Sequence, residues 1–333
     1  MVKFTIVMMR LIVDTLGGDL GSSVIVKAIK HFLTLNKDVE IIAVGKEEEL
    51  QELNGLCRIV KAEEVVPMQA GALEVLRMKN SSMMTAIRLM KEEGLDAVIS
   101  CGSTGGFLST ATVTLKMIPG VKRAALVAPF PTEIMGKKVV ILDIGASNEN
   151  SPEELVQFAL IGRLYSQIVF QNENPNVYLL SNGSEEGKGS PTGKEAYKLL
   201  KENNFPGFKG NIEARDALKG EADVIVTDGF NGNIFLKSTE GTAKIFSSLI
   251  KDAFKKNLWT KIGYLHVRKG IKHISDVFNY KNTGGAMLLG VNGVVVKAHG
   301  SSDEISFESA LMVAKKLAEK EIVNKIKEGL KNE

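Results

Sequence analysis

The chain has 333 residues, enough for one large domain or two ordinary ones; 44% of them are apolar and 24% are charged. This composition excludes an intrinsically disordered chain, and a net charge of +3 is too small to indicate nucleic-acid binding. Two cysteines and four histidines predict neither a disulfide scaffold nor a structural zinc site. No apolar run reaches the roughly 20 residues that span a bilayer. The segment before Met9 is too short for a signal peptide, so we expect a cytoplasmic protein.

Short apolar runs alternate with helical stretches from one end of the chain to the other, which is typical of parallel βαβ units. Strands are predicted at 11–13, 39–44, 96–100, 124–128, 139–142, 177–180, 224–227 and 294–297. Helices are predicted from Ser22 to Leu35, from the Gly102–Gly106 loop to Met117, and from Pro152 to about Val169 behind a Ser151 N-cap. We therefore predict an α/β fold with a doubly wound, mostly parallel sheet, formed as a single domain over 1–333.

The last third of the chain differs, because residues from Gly232 to about Val277 read as long helix with few strand signals. Residues 250–277 are predicted to form a protruding helical arm. Between Lys251 and His273 this segment carries seven basic residues and one acid, Asp252, with aromatic and aliphatic residues between them. Two interpretations fit: a solvated or dimer-packing helical hairpin, and a basic element that rests on an anionic membrane surface.

Clusters of small and polar residues follow six of the predicted strands. Because ligands bind at the carboxyl ends of strands in an open parallel sheet, we expect these clusters to lie close together. They are Asp14–Asp19, Ser100–Gly106, Asp143–Asn148, Asn182–Ser190, Thr227–Asn233 and Lys297–Asp303.

Three of these clusters suggest an anion site. The loop from Gly102 to Gly106 opens a helix, where backbone N–H groups bind anions, and the hydroxyls of Ser103 and Thr104 would add donors. The loop lacks the Gly-Lys-Ser/Thr of a Walker A motif and the Rossmann Gly-x-Gly-x-x-Gly. Lys188 lies between glycines in the fourth cluster, and Gly17 and Gly18 in the first would let the backbone approach a ligand that Asp14 orients. Each cluster is also consistent with a plain turn, cap or solvated loop.

Eight segments, taken in this order and spacing, resemble the bacterial phosphate acyltransferase family, the acyl-ACP–phosphate transacylases (PlsX). The resemblance runs from Met9 to about Lys316. The segments are MRLIVDTLGGD (9–19), MKNSSM (78–83), SCGSTGG (100–106), APFPT (128–132), LDIGASNENSPEELVQFA (142–159), NIEARD (211–216), VIVTDGFNGNIFLKSTEG (224–241) and GGAMLLGVNGVVVKAHGSSD (284–303). The chain departs from the family at Thr15 and Leu16, at Ser103 in place of asparagine, and at 69–72. Met9 coincides with the family's usual start.

The resemblance implies a fold shared with phosphate acetyltransferases and the isocitrate/isopropylmalate-dehydrogenase group. It implies transfer of a fatty acyl group from acyl carrier protein to inorganic phosphate, giving an acyl phosphate for phospholipid synthesis. It also implies a cytoplasmic homodimer that associates peripherally with the membrane, where a membrane acyltransferase is a possible partner. The basic segment 250–277 then becomes the expected membrane-facing element.

The chemistry needs a phosphate cradle and donors for the developing oxyanion rather than a Ser-His-Asp triad, since phosphate is itself a nucleophile. We predict that the Gly102–Gly106 loop and Lys188 bind phosphate. His299, with Asn231 and Ser301, is predicted to stabilise the oxyanion or to protonate the leaving thiolate. Ser301 and Ser302 are also predicted to bind substrate or phosphate. Asp228 is predicted to orient His299 or Lys188. No metal or other cofactor is expected.

Four other interpretations remain open on sequence alone. The chain could act on acetyl groups, as a phosphate acetyltransferase or an acetyl-phosphate-releasing subunit of an amino-acid reductase. A dehydrogenase of the isocitrate class would need metal-binding aspartates and an arginine cluster that the sequence does not display. Cys101 could form a covalent acyl thioester. A silent scaffold that binds acyl carrier protein would keep the fold without the chemistry.

Overall fold

A computed structural model describes residues 8–278 and 284–332 and contains one sheet of 11 strands with helices on both faces. The segment that precedes the expected start at Met9 lies, up to residue 7, outside the described residues. The strands are β1 (Met9–Asp14), β2 (Val39–Gly45), β3 (Arg58–Lys61), β4 (Ala97–Ser100), β5 (Ala125–Pro131), β6 (Lys138–Leu142), β7 (Val177–Ser181), β8 (Phe208–Glu213), β9 (Val224–Val226), β10 (Ala286–Leu289) and β11 (Val294–Lys297).

Ten α-helices lie within the described residues, together with two short 3-10 turns between β2 and β3. They are α1 (Ser22–Leu35), α2 (Ala72–Arg77), α3 (Ser82–Glu93), α4 (Thr104–Leu115), α5 (Pro152–Phe170), α6 (Pro191–Glu202), α7 (Gly229–Lys255), α8 (Leu258–Phe278), α9 (Glu304–Glu319) and α10 (Ile322–Asn332).

The strand order is β3-β2-β1-β4-β11-β10-β5-β6-β9-β7-β8, which confirms the predicted doubly wound, mostly parallel α/β sheet. Neighbours from β3 to β11 are parallel, and neighbours from β6 to β8 are parallel. The pairs β11–β10, β10–β5 and β5–β6 are antiparallel. Three reversals separate the two parallel groups, so the strands from β6 to β8 run opposite to those from β3 to β11.

Local sequence signals place most of the elements. At the start of α5, Ser151 accepts a hydrogen bond from the backbone of Glu154, and the Glu154 side chain returns one to Ser151, forming a capping box. The strands β3, β8 and β10 are not among those that the sequence predicts. β3 and β8 are the two edge strands, and polar or charged residues interrupt both; β10 has only four residues. Edge strands carry less of the apolar alternation on which the prediction depends.

Side chains that alternate along each strand divide the core between the two faces of the sheet. One apolar cluster contains Phe32, Phe158 and Phe307 from α1, α5 and α9. The other contains Met83 and Phe107 from α3 and α4. The second face is the one on which the polar residues at the strand ends meet.

The predicted long helix is two helices, α7 and α8, which pack against each other. Asp228 caps α7 by accepting from the Asn231 N–H, and Asn257 accepts from the Thr260 N–H where α8 begins. The apolar side chains of Leu258 and Trp259 are 70% and 81% exposed. The side chain of His273 lies outside the described residues. None of the helices in the described ranges is long and apolar enough to cross a membrane.

The start of α7 packs directly on the loop that follows β6. A Cβ on Gly232 would clash with the Asp143 carbonyl oxygen and with the Thr227 side chain. A Cβ on Gly241 in the same helix would have no atom within 4 Å. We expect Gly232→Ala to lower the free energy of unfolding by about 1–3 kcal/mol through overpacking. Gly241→Ala should raise it by about 0.5–1 kcal/mol through helix propensity. Urea unfolding of both variants measures this difference, and equal shifts would contradict the close contact.

Candidate active site

Three neighbouring parallel strands end in polar residues that lie side by side. In the sheet register Asp14 pairs with Ser100, and Ser100 pairs with Lys297. Side chains alternate along a strand, so these three share a face with Ile12, Val98 and Val295, each of which belongs to the core under α3 and α4. The sheet therefore presents a carboxyl, a hydroxyl and an ammonium group in one row.

Asp14 organises this row from a position that is only 1% exposed. Its carboxylate accepts hydrogen bonds from Ser82 Oγ and Ser100 Oγ, each at 2.6 Å, and from the Leu16 N–H at 3.2 Å. Burial raises the pKa of Asp14, and the hydroxyl donors and the charge of Lys297 act against that rise. A buried carboxylate needs such donors, so Asp14 connects β1, β4 and the start of α3.

The loops after β1, β4 and β11 contact one another through their backbones. Gly17 has a φ of 85°, and a Cβ there would lie 3.1 Å from Gly102 Cα, so glycine permits this close approach. The Asp19 N–H donates to the Gly300 carbonyl, and the Ala298 N–H donates to the Ser100 carbonyl, both at 2.9 Å. These backbone contacts connect three of the six predicted clusters, those that follow β1, β4 and β11.

The loop after β4 ends in the N-terminus of α4. Ser103 is buried and caps the helix by accepting from the Gly106 N–H at 3.3 Å. Gly102 packs against the Met83 methyl group, and Gly106 packs against Val75. Thr104 and Gly105 are the exposed residues of this turn, so they carry the first N–H groups of the helix toward solvent.

A cavity of about 430 Å³ lies above the row of polar residues. The predicted site residues Thr104, Gly105, His299, Ser301 and Ser302 line it, and so does Lys297. Strands β5 and β10 and the loop after β6 provide small or apolar lining through Leu126, Ala128, Ile144, Gly145, Gly285 and Ala286. Helix α7 contributes Asn233, Leu236, Lys237 and Glu240. The predicted residues Asp14, Gly17, Gly18, Gly102, Ser103 and Gly106 are not among the lining residues and form the support around it.

His299 is held at the cavity by Ser301. The Ser301 N–H donates to His299 Nδ1 at 3.1 Å, and Ser301 Oγ lies 2.9 Å from the same nitrogen. A backbone N–H can only donate, so Nδ1 is the acceptor and the neutral ring carries its proton on Nε2. This arrangement gives His299 a donor for a negatively charged oxygen or sulfur.

Lys297 lines the cavity and begins the sixth predicted cluster, but no role is predicted for it from the sequence. It is 6% exposed, and its Nζ donates to the Ala298 carbonyl oxygen. Burial lowers the pKa of Lys297 to about 8, although Cys101, Asp14 and Asp19 favour the charged form. A lysine that ends a buried run of three valines is the signal that could have identified it, because lysine is almost never fully buried without a reason.

Lys188, Asp228 and Asn231 are not among the residues that line the cavity. Lys188 is exposed in the loop after β7, which is the fifth strand along from β11 and runs in the opposite direction. Asp228 accepts from both the backbone and the side chain of Asn231 as the cap of α7. Five of the six clusters contribute residues to the cavity lining, and the cluster that holds Lys188 does not, because β7 lies beyond β6 and β9 on the far side of the sheet from β11.

Cys101 is buried beneath the first loop, where a Cβ on Gly18 would lie 2.7 Å from its Sγ. Burial and the nearby Asp14 raise the pKa of Cys101 to about 12. A thiol in this state is a poor nucleophile at neutral pH, which argues against the covalent acyl-thioester interpretation. Across the residues that the structure describes, no group of three or more histidine, cysteine or acidic side chains could hold a metal ion.

Solved structures with this fold include other acyl- and phosphate-handling enzymes. A branched-chain phosphotransacylase from Enterococcus faecalis superposes with a TM-score of 0.62 at 13% identity, covering 93% of this chain and 99% of that one. A phosphotransacetylase from Staphylococcus aureus gives a TM-score of 0.57 at 16% identity, covering 93% and 94%. A 4-hydroxythreonine-4-phosphate dehydrogenase from Klebsiella pneumoniae gives 0.54 at 12% identity, covering 93% and 99%. At these identities the likeness concerns the fold alone.

The sequence comparisons are more specific. The family model described as "Fatty acid synthesis protein" matches residues 9–325. The phosphate acyltransferase of Halothermothrix orenii is 39% identical over 331 residues, which is 97% of this chain and 98% of that protein. The phosphate acyltransferase of Mesoplasma florum is 35% identical over 97% of this chain and 100% of that protein. Identity of this extent over essentially full-length relatives shows that the chain belongs to the phosphate acyltransferase family.

Proposed function

We propose that this protein transfers a fatty acyl group from the thioester of acyl carrier protein to inorganic phosphate, in the cavity between α4, α7 and the loop after β11. The observation that carries the proposal is the pairing of a helix N-terminus with His299 in one cavity of a phosphate acyltransferase family member. The helix supplies an anion site, and the histidine supplies a donor for the charge that develops on the acyl group.

The phosphate is proposed to lie at the N-terminus of α4. Thr104 and Gly105 line the cavity there, so backbone N–H groups and a hydroxyl are available to the phosphate oxygens. The macrodipole of a 12-residue helix favours an anion at this end. Binding in this position fixes the nucleophile before the thioester arrives, which lowers the entropic part of the barrier.

The bond changes are simple. A phosphate oxygen attacks the thioester carbonyl carbon, the carbon–oxygen bond forms, and the carbon–sulfur bond then breaks as the tetrahedral intermediate collapses. The proton of hydrogen phosphate balances the thiolate that leaves, so the products are an acyl phosphate and a free thiol. His299 Nε2–H is the proposed hydrogen-bond donor, first to the oxyanion and then to the leaving sulfur, while Ser301 holds the ring through Nδ1. The ring keeps its proton, and the proton that ends on the thiol is the one that phosphate loses.

A second, apolar cavity of about 720 Å³ supports a long acyl group over an acetyl group. It lies between α7, α8 and the segment after β8, and its lining includes Phe235, Phe246, Ile250 and Leu218. Helix α7 lines both cavities, with residues such as Leu236 and Lys237 at the first and Phe235 and Ala243 at the second. An acetyl group has a single methyl group to bury, so it would leave an apolar cavity of this size almost empty.

The exposed basic and aromatic surface of α7 and α8 supports the proposed contact with an anionic membrane. Leu258 and Trp259 are exposed on α8, while Lys255, Lys256 and Lys261 lie close by in sequence. Apolar side chains beside lysines are the pattern of interfacial helices. A homodimer and a membrane acyltransferase as partner remain proposals that the family resemblance motivates.

The first test is a hydroxylamine trap, which converts an acyl phosphate to a hydroxamate. The protein is incubated with hexadecanoyl acyl carrier protein, with and without inorganic phosphate. We expect hydroxamate only when phosphate is present. His299→Gln should lower the rate at least about 100-fold, since general acid catalysis and oxyanion donors contribute about 10²–10⁴. Hydroxamate formed only from acetyl-CoA would favour the acetyl alternative, and none from either donor would favour the scaffold.

The apolar cavity predicts a dependence on chain length. Ala243→Phe fills part of that cavity, so kcat/KM for a hexadecanoyl thioester should fall about 10-fold or more, as the loss of apolar contacts requires. The value for a butanoyl thioester should change by less than about twofold, and Ala243→Ser serves as the size control. An equal loss for both chain lengths in Ala243→Phe would mean that the acyl chain does not enter this cavity.

The exposed end of α8 predicts reversible binding to anionic vesicles. Leu258→Gln combined with Trp259→Gln should weaken binding to phosphatidylglycerol vesicles at least about 10-fold, because two apolar side chains no longer enter the interface. The matched control is Leu35→Gln combined with Leu56→Gln, two exposed leucines of other elements. Sedimentation with vesicles gives the comparison. If both double variants bind as the unmodified protein does, α8 is not the membrane contact.

A further inference from the structure

Lys297 occupies a place in the cavity that no surface lysine could take. It ends the central strand β11, between Ser100 on β4 and Ala286 on β10. It shares the face of Val295, so its stem rises from the core toward α4 and into the cavity. Alanine and glycine at 285, 286 and 128 leave the space beside it open to a ligand.

The charge of this lysine is not neutralised by a contact ion pair. Within the described residues Lys297 Nζ donates to a backbone carbonyl, and no carboxylate pairs with it. Asp14 is on β1, two strands from β11, so the backbones of the two residues are about 10 Å apart at the usual strand spacing. The Asp14 carboxylate already accepts hydrogen bonds from Ser82 and Ser100. Asp14 and Asp19 favour the charged form of Lys297 without forming a contact ion pair with it, and an anion bound in the cavity would stabilise the ammonium further.

Two positive features therefore face the same space. The N-terminus of α4 reaches the cavity at Thr104 and Gly105, and Lys297 reaches it from the sheet. We propose that the Lys297 ammonium is the cation that binds the phosphate dianion, with the α4 N-terminus as its second contact. This assignment rests on the proposed function and names the group that binds its nucleophile.

Other charged groups around the cavity define the competing explanations. Asp14, Asp19 and Cys101 act electrostatically on Lys297, and Asp19 also lines the cavity. His299 lies on the loop after β11, and Lys237 and Glu240 face the cavity from α7. The main competitor is a structural role, in which Lys297 only offsets the charge of Asp14. That role would affect stability and would leave phosphate binding unchanged.

The two roles differ in their dependence on pH. With a pKa of about 8, Lys297 is charged below that pH and becomes neutral as the pH rises through it. A phosphate-binding ammonium then loses affinity by up to about 10-fold per pH unit above its pKa. Inorganic phosphate loses its second proton near pH 7, so above about pH 8 it is almost entirely the dianion, and a change in affinity between about pH 8 and about pH 9.5 reports on the protein.

The experiment measures the dissociation constant of inorganic phosphate by calorimetry over this pH range, without any acyl donor. We expect the unmodified protein to bind less tightly as the pH rises. Lys297→Met keeps the length of the apolar stem, and at about pH 7.5 it should weaken phosphate binding about 10- to 100-fold, as loss of a charged hydrogen-bond donor implies. Its remaining affinity should no longer depend on pH in this range.

Lys188→Met is the matched comparison, since sequence reasoning favoured that lysine and the structure places it elsewhere. It should change phosphate binding by less than about twofold. Weaker binding in Lys188→Met together with unchanged binding in Lys297→Met would overturn the proposal. A phosphate affinity of the unmodified protein that stays constant above about pH 8 would also overturn it, even if Lys297→Met fails to fold.

Failure of the inference is distinguishable from failure of the proposed function. Phosphate-dependent hydroxamate formation together with unchanged phosphate binding in Lys297→Met would retain the reaction and reject the role of Lys297. Absence of both phosphate binding and hydroxamate in the unmodified protein would reject the reaction itself. Calorimetry with His299→Gln is a further control, because this variant should keep the pH-dependent phosphate affinity if Lys297 is the binding cation.

Discussion

A buried carboxylate needs hydrogen-bond donors, and Asp14 obtains its donors from segments far apart in the sequence. Ser82 at the start of α3 and Ser100 at the end of β4 both donate to it. Without them, Asp14 would be an uncompensated charge in the core, which is among the most destabilising features a protein can have. The need to satisfy one carboxylate therefore fixes the ends of two strands and the start of a helix. The loops that follow these strands form the cavity.

Strand direction and the distance across the sheet together decide which loops can take part. If every strand ran the same way, all six polar clusters would lie at one edge of the sheet. β10 returns antiparallel between β11 and β5, and β6 returns beside β5. The loops after β1, β4 and β11 remain together, while the loop after β7 belongs to the oppositely directed group. The loop after β6 still reaches the cavity through Ile144 and Gly145, because the Ile144 N–H donates to the carbonyl oxygen of Leu126, the second residue of β5.

Local sequence signals were sufficient to predict most helices and strands. They were insufficient to predict the order of the strands in the sheet and which loops meet at the cavity. Ser151 with Pro152, and the apolar runs ending at Asp14, Ser100 and Lys297, predicted the α5 cap and the three central strands. These signals work because caps and buried strands depend on near neighbours in sequence. The position of Lys188 depends on three antiparallel pairings, none of which leaves a mark on the residues around it. The same limit applies to Asn231, whose amide is used in the cap of α7 while Asn233, two residues on, lines the cavity.

The burial of Lys297 lowers stability near neutral pH. Its pKa is lower in the folded chain than the usual 10.5, so between about pH 8 and that value the unfolded chain binds more protons. Stability from this group therefore rises with pH through that window, and at neutral pH the charged form is disfavoured by its surroundings. A methionine or leucine at position 297 would be more stable than a lysine, since this position is buried and follows the fully buried Val295 and Val296. The proposed anion between this ammonium and the α4 N-terminus would offset that loss of stability.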